Sequence, residues 1–155
     1  MLHQALLAHL REELNHTLLA AETAREGATH EEALAKSKYD THGLELSYLA
    51  GSQFERARLL QSQVALLSRT SFRDFAQDEP IDLGALVEVR GAQAKTGHYL
   101  ISLVGAGISV PLDGTLIQVI SPDSLLGEEL MNRRAGDRVE VVERPGLVWD
   151  IISVF

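Results

Sequence analysis

Two stretches at the start of the chain repeat apolar or small side chains at steps of three and four, and this spacing leaves few folds open. In the first, Leu7, Leu10, Leu14, Leu18, Ala21, Ala24 and Ala28 trace one face of a helix expected from residue 3 to about 39. In the second, Leu46, Ala50, Phe54, Ala57, Leu60, Val64 and Leu67 do the same over residues 44 to 68. Neither helix has a core of its own, so each needs the other's stripe. An antiparallel coiled-coil hairpin meets that need, with Leu10, Leu14, Leu18 and Ala21 facing Ala57, Leu60, Val64 and Leu67. Gly27 and Thr29 interrupt the first pattern. Thr29 followed by Glu32 matches a capping box, so a break near residue 28 is the alternative. Continuity is the preferred reading, because one Gly costs a long helix only about 1 kcal/mol. Asp40-Thr41-His42-Gly43 combines an N-cap candidate with a glycine and suits the reversal between the helices.

Beyond Ser68-Arg69-Thr70-Ser71 the pattern changes. Gln77-Asp78-Glu79-Pro80 closes a polar linker. Val87, Val89, Tyr99, Ile101, Leu103, Ile108, Val110, Ile117 and Val119 then alternate within short runs separated by glycines, which is strand periodicity. Ser121-Pro122-Asp123 opens a short helix over residues 124 to about 134, with Ser121 as its start and Pro122 just inside. Leu126, Leu130 and Met131 on that helix are expected to face the sheet. Ala135-Gly136-Asp137 stops it. Strands at 139–142 and 148–154, with Pro145-Gly146 as their turn, finish a sheet of four or five strands. The expected division is a hairpin over 1–72 with its tip near 40–45, a linker over 73–80 and a β-rich domain over 81–155. The fold class is α+β.

Charge and composition remove several function classes. The formal net charge is −8, so no basic field is available to grip duplex phosphates, and sequence-specific DNA binding is not expected. Cysteine is absent, which excludes disulfides and thiolate metal sites, and six histidines without zinc spacing give no tightly bound metal. No apolar run approaches a membrane span, and no signal peptide is read at Met1-Leu2-His3-Gln4. The cytoplasm is the default compartment.

The C-terminal third carries a more specific pattern. Ser121-Pro122 is followed by Leu126-Gly127, then Leu130-Met131, then Ala135-Gly136-Asp137-Arg138-Val139-Glu140-Val141, and the last expected strand reads Trp149-Asp150-Ile151-Ile152-Ser153-Val154. This series resembles the C-terminal domain of the Gre-factor family of bacterial RNA polymerase secondary-channel proteins. Two extra residues stand between the Pro and the Leu-Gly, and Glu128 and Asn132 depart from the family's usual residues. The resemblance implies an FKBP-like small antiparallel β domain with one short helix, without prolyl isomerase activity. It also implies a preceding coiled-coil hairpin whose tip is acidic, the place that residues 38–50 occupy here. The chain resembles a divergent member of that family.

The same resemblance implies a partner and a mode of action. The partner is bacterial RNA polymerase core, with indirect contact to the nascent RNA 3′ end. The hairpin would enter the secondary channel while Leu126, Gly127, Glu128, Arg133 and Arg134 dock the C-terminal domain outside. Acids at the tip would help hold a Mg²⁺ whose principal ligands come from the polymerase, with no intrinsic cofactor. Counting back from Tyr48 puts Thr41 and Leu44 at the family's two acidic positions, so the candidate catalytic acids are Asp40 and Glu45, one residue outside each. Two bland roles stay open beside this: a helix cap for Asp40 and a first-turn acid for Glu45. Lys36, Lys38, Tyr39, Thr41 and His42 are candidate tip contacts, with plain solvation equally open. Tyr48 and Phe54 are expected to pack within the hairpin, and Trp149 to be a core or strand-edge residue. Three functions remain: a noncatalytic polymerase modulator, a transcript-cleavage accessory factor, and an interaction module unrelated to polymerase.

Overall fold

Both heptad stretches form helices in the computed structural model, which describes residues 1–34, 41–76, 78–91, 95–140 and 148–155. Helix α1 (Leu2–Leu34) passes through Gly27 and Thr29 without a break. The Thr29 hydroxyl donates to the Arg25 carbonyl at 3.0 Å, so it is used inside the helix and does not cap a new one. Helix α2 spans His42–Arg69. Gly43, expected in the reversal, lies in its first turn and is buried. Residues 35–40, which include Asp40 of the expected reversal, lie outside the described residues.

The chain divides into two compact units, Leu7–Leu66 and Met1–Leu6 with Leu67–Phe155. In the first, the helices run antiparallel. Glu13 pairs with Arg56, and further along α1 Gly27 lies against Leu46, so the partner on α2 moves backward as α1 advances. The seam on α1 is Leu7, Leu10, Leu14, Thr17, Ala21, Ala24 and Ala28, fully or partly buried, in strict alternation of three and four. Leu18, expected in the stripe, is 42% exposed. After Leu14 a 3.5-residue repeat next returns to the seam at position 17, and the polar Thr17 takes it. The seam on α2 follows the same rule through Gly43, Leu46, Ala50, Gln53, Ala57, Leu60 and Val64. Phe54 is therefore one place off the seam and 37% exposed, and Tyr48 is 72% exposed. Tyr48 thus does not pack within the hairpin as expected, whereas Phe54 flanks the seam with most of its surface covered.

The second unit is built on one six-stranded sheet in the order β3-β4-β2-β1-β6-β5. The strands are β1 (Leu86–Arg90), β2 (Thr96–Ile101), β3 (Ser109–Leu112), β4 (Thr115–Ile120), β5 (Arg138–Glu140) and β6 (Val148–Val154). All neighbouring pairs are antiparallel except β2 and β4, which are parallel, with His98 opposite Ile117 and Ile101 opposite Ile120. The sheet is thus mixed, where an antiparallel one was expected. The chain reverses after β2 through Gly105 (φ 76°) and Gly107 (φ 88°) and lands one strand away, leaving room for β4 to insert. Asp113-Gly114 joins β3 to β4 with both residues left-handed (φ 49° and 79°), as a two-residue type I′ hairpin requires.

Each face of the sheet is covered over part of its width. On one, Val87, Val89, Ile101, Val139, Ile151 and Val154 form a core with Phe75, Ile81, Ala85 and Leu130, and Leu126, Met131 and Trp149 pack at its margin. Leu126, Leu130 and Met131 therefore face the sheet as expected. On the other, Leu100, Val110, Ile117 and Val119 are buried, and Leu6 packs over Gly105, whose Cβ would lie 3.0 Å from Leu6 Cδ1. His3 joins this unit through a 2.8 Å hydrogen bond between Nε2 and the Leu67 carbonyl and an edge-to-face contact with Phe72.

Segment 73–80 is more than a spacer. Phe75 enters the core, Arg73 lies 3.8 Å over its ring, and Arg73 also pairs with Glu79 at 2.8 Å. Ile81 then exchanges backbone hydrogen bonds with the exit of the short helix, donating to Arg133 O at 2.7 Å and accepting from Asn132 N at 2.9 Å.

Candidate functional site

The start of α2 is the part of the expected tip that can be placed. Thr41 offers its carbonyl to the Glu45 N–H at 2.9 Å, the first bond of the helix. Thr41, His42, Leu44 and Glu45 are exposed. Glu45 sits in the first turn, where the partial positive charge of unpaired N–H groups favours a carboxylate. That local reason for an acid holds whatever else Glu45 does. Asp40, Lys36, Lys38 and Tyr39 lie outside the described residues, and with them the geometry of an Asp40–Glu45 pair. Among the described residues, no three His, Asp or Glu side chains are grouped to hold a metal.

The expected docking residues cluster around helix α3 (Leu125–Leu130). It is shorter than the expected 124–134, and Ser124, not Ser121, is its N-cap. Ser124 has an extended backbone (φ −75°, ψ 154°), and its Oγ accepts the Gly127 N–H at 3.1 Å. The same Oγ donates to the Ser121 carbonyl at 2.7 Å, and the Ser124 N–H reaches that carbonyl at 3.1 Å. Ser121 thus anchors the turn that presents the cap. The turn folds so closely over Gly127 that a Cβ there would lie 2.1 Å from Ser121 O and 3.0 Å from Pro122 O. Leu126 packs on the core and Gly127 is buried, so these two serve the interior of the unit.

Glu128, Arg133 and Arg134 are exposed. Arg134 is held at both ends. Its guanidinium donates to the Asp78 carbonyl, and its backbone N–H donates to the Asp137 carboxylate at 2.8 Å. Gly136 (φ 91°) lets the chain turn into β5, its N–H meeting Ile151 O at 2.8 Å while Ile151 N–H meets Asp137 O at 2.9 Å. The Ala-Gly-Asp motif therefore has a structural reason: a left-handed turn closed by an aspartate side chain. Asp78, Arg134, Ala135, Gly136 and Ile152 line a shallow, open depression beside it.

Charge elsewhere on this unit is arranged in pairs that sequence spacing did not reveal. Arg138 on β5 holds Asp150 on β6 at 2.6 Å, and that bond, with Arg90 adding to it, keeps the Asp150 carboxyl below the usual carboxylate range. Glu79 is lowered as well, first by the Ala76 N–H and then by Arg73. Glu88 accepts the Ser153 hydroxyl at 2.7 Å across β1 and β6. The strand register, once known, predicts the Arg138–Asp150 and Glu88–Ser153 contacts, because each pair stands directly opposite. Trp149 is half-buried with its ring edge-to-face to Tyr99 at 6.1 Å.

No helix among the described residues is long and apolar enough to cross a membrane. No protein-family model matches the chain, and no curated protein sequence matches it. Solved structures do align with it. A GreA factor homolog 1 (Gfh1) protein of Thermus thermophilus matches at 19% identity and a TM-score of 0.40, over 96% of this chain and 94% of that one. Thermus aquaticus Gfh1 matches at 19% identity and 0.38, over 97% and 94%. A structure described as the transcription factor Gfh1 matches at 21% identity and 0.39, over 97% and 93%.

Proposed function

We propose that the protein binds bacterial RNA polymerase core and acts through its secondary channel, as a modulator of transcription and not as a nuclease in its own right. The observation that carries this reading is the hairpin. It is two helices in heptad register, with Ala21, Ala24, Ala28, Gly43 and Ala50 buried along its seam. Small seam residues let helix axes approach closely, so the arm stays narrow. The 33 residues of α1 rise about 50 Å. A narrow, long arm suits a channel that a globular domain cannot enter. The motif residues of the sheet unit are tied together by hydrogen bonds around α3, and Glu128, Arg133 and Arg134 are exposed there.

Within that reading, cleavage is expected to be weak or absent. Carboxylates assist a metal only when their oxygens reach bonding distance, and the acids here are spaced differently from the family's. Glu45 could offer one carboxylate to a Mg²⁺ held by the polymerase, and Asp40 would have to supply the second. The test is a backtracked elongation complex with labelled RNA and Mg²⁺, comparing the wild type with Asp40→Asn, Glu45→Gln and the double variant. Binding of every variant without cleavage supports the modulator. Strong Mg²⁺-dependent cleavage lost in both single variants would overturn it in favour of a cleavage factor. Absence of binding to core polymerase would remove the polymerase reading altogether.

A further inference from the structure

The face of α2 opposite the seam carries a second apolar stripe. Leu44, Tyr48, Leu59 and Leu66 are all exposed, Leu59 at 66%. They are separated by four, eleven and seven residues, each close to a whole number of 3.6-residue turns, so they share one side of the helix. Between them on that side lie Gly51, Ser52, Glu55, Arg58 and Ser62. A Cβ on Gly51 would meet nothing within 4 Å. A glycine in a helix interior is unfavourable, and packing among the described residues gives no reason for one there. The Ser52 and Ser62 hydroxyls turn back onto carbonyls of their own helix, at 2.8 Å and 3.0 Å, leaving low points in the surface.

We infer that this face is an interface with a second copy of the chain, α2 against α2 antiparallel about a twofold axis at Glu55. That occupant is favoured by self-complementarity in both size and charge. With Glu55 on the axis, Leu44 falls opposite Leu66 of the other copy. Tyr48 falls opposite the low point at Ser62, and Leu59 opposite the gap at Gly51. Each contact occurs twice by symmetry, as an isologous interface requires. Glu55 and Arg58 pair within one helix at 3.5 Å while both stay largely exposed. Across the axis each Glu55 would also face the other copy's Arg58, so the two like charges at the centre are flanked by opposite ones. Tyr48 and Leu59 sit where the other copy is small, Leu44 meets the apolar Leu66, and one register serves all three contacts.

The experiment uses the intact chain, whose lack of cysteine gives a clean background for crosslinking. Sedimentation equilibrium from micromolar to millimolar concentration should show a monomer–dimer equilibrium. Gly51→Leu fills the gap that Leu59 needs, at a position where an added Cβ meets nothing within 4 Å. It should weaken association at least about tenfold while the helical circular dichroism stays unchanged or rises. Glu55→Cys should oxidise rapidly to a covalent dimer, because the axis brings it to itself. Tyr48→Cys should not, since in this register its two copies stand about 20 Å apart along the helices, beyond disulfide reach. A wild type that stays monomeric throughout would overturn the inference. So would equal crosslinking of both cysteine variants, or dimerisation that survives Gly51→Leu.

Discussion

Replacing Gly127 with alanine should destabilise the sheet unit far more than its single added methyl suggests. The new Cβ would stand 2.1 Å from Ser121 O, 2.8 Å from Ser124 Oγ and 3.0 Å from Pro122 O. Two of these are backbone carbonyls, so the obstruction cannot be relieved by rotating a side chain. The turn must open, and three hydrogen bonds run through it: Ser124 N–H to Ser121 O, Ser124 Oγ to Ser121 O, and Gly127 N–H to Ser124 Oγ. At about 1 kcal/mol net for each, the loss is about 3 kcal/mol. Alanine's better helix propensity offsets up to about 1 kcal/mol of it. The remaining 2 to 3 kcal/mol, for a domain of this size, lowers the melting temperature by roughly 10–20 °C. Trp149 is the one tryptophan and packs at the margin of this unit's core, so its fluorescence in urea follows the sheet unit. Ser124→Ala removes the cap without the clash and should cost only about 1 kcal/mol, which isolates the steric part. A Gly127→Ala protein within about 0.5 kcal/mol of the wild type would refute the reasoning, since no rigid turn over Gly127 could then exist.

Other consequences can be measured on the same protein. Leu10→Ala, at a fully buried seam position, should lower hairpin stability by about 2–5 kcal/mol in thermal melts followed at the helical circular dichroism band. Leu18→Ala, at the neighbouring exposed position, should cost less than about 1 kcal/mol; equal losses would restore the stripe expected from sequence. Glu13→Arg should weaken the hairpin slightly, by no more than about 1 kcal/mol, and Glu13→Arg with Arg56→Glu should recover the loss if the antiparallel register holds. Glu79 and Asp150 both have carboxyl pKa values lowered in the folded state, so their contribution is present above the unfolded value and fades as pH falls through the folded one. Urea midpoints of the sheet unit should therefore drop on acidification from about pH 5 to about pH 2, and less steeply in Glu79→Gln; an unchanged slope would remove Glu79 from the account.

Much of this architecture is legible in the sequence because its signals are periodic. The helical hairpin, the continuity through Gly27 and the bounds of β6 all follow from spacing, and Leu126, Leu130 and Met131 face the sheet as their helical positions imply. Where hydrophobicity and register disagree, register decides. Leu18 and Phe54 are more apolar than Thr17 and Gln53, yet the 3.5-residue repeat puts the polar residues on the seam. Gly43 resembles a turn residue, but it lies buried in the first turn of α2. Ser121-Pro122 resembled a helix start, whereas the cap is Ser124 and Ser121 supports it through a carbonyl, an atom every residue carries. The parallel β2–β4 pair has no local signature, because it depends on where the chain lands after its reversal. The Asp113-Gly114 hairpin did have one and could have been found. At the candidate site, the first-turn placement of Glu45 follows from helix chemistry, while its proposed partner Asp40 falls outside the described residues.

The seam of the hairpin is unevenly built. Leu7, Leu10 and Leu60 fill the part nearer the chain's start, whereas the part nearer the start of α2 is filled by Ala21, Ala24, Ala28, Gly43 and Ala50 with Leu46 among them. Leucine layers remove far more apolar surface from water than alanine layers do. Free energy of local opening should therefore decline along the arm, and amide protons should exchange fastest around the first turns of α2 and slowest near Leu10 and Leu60. An arm graded in this way can have one end reshaped on contact with a partner while the other stays folded and keeps its place. Thr41, His42 and Glu45 sit at the yielding end, where fitting a surface costs least.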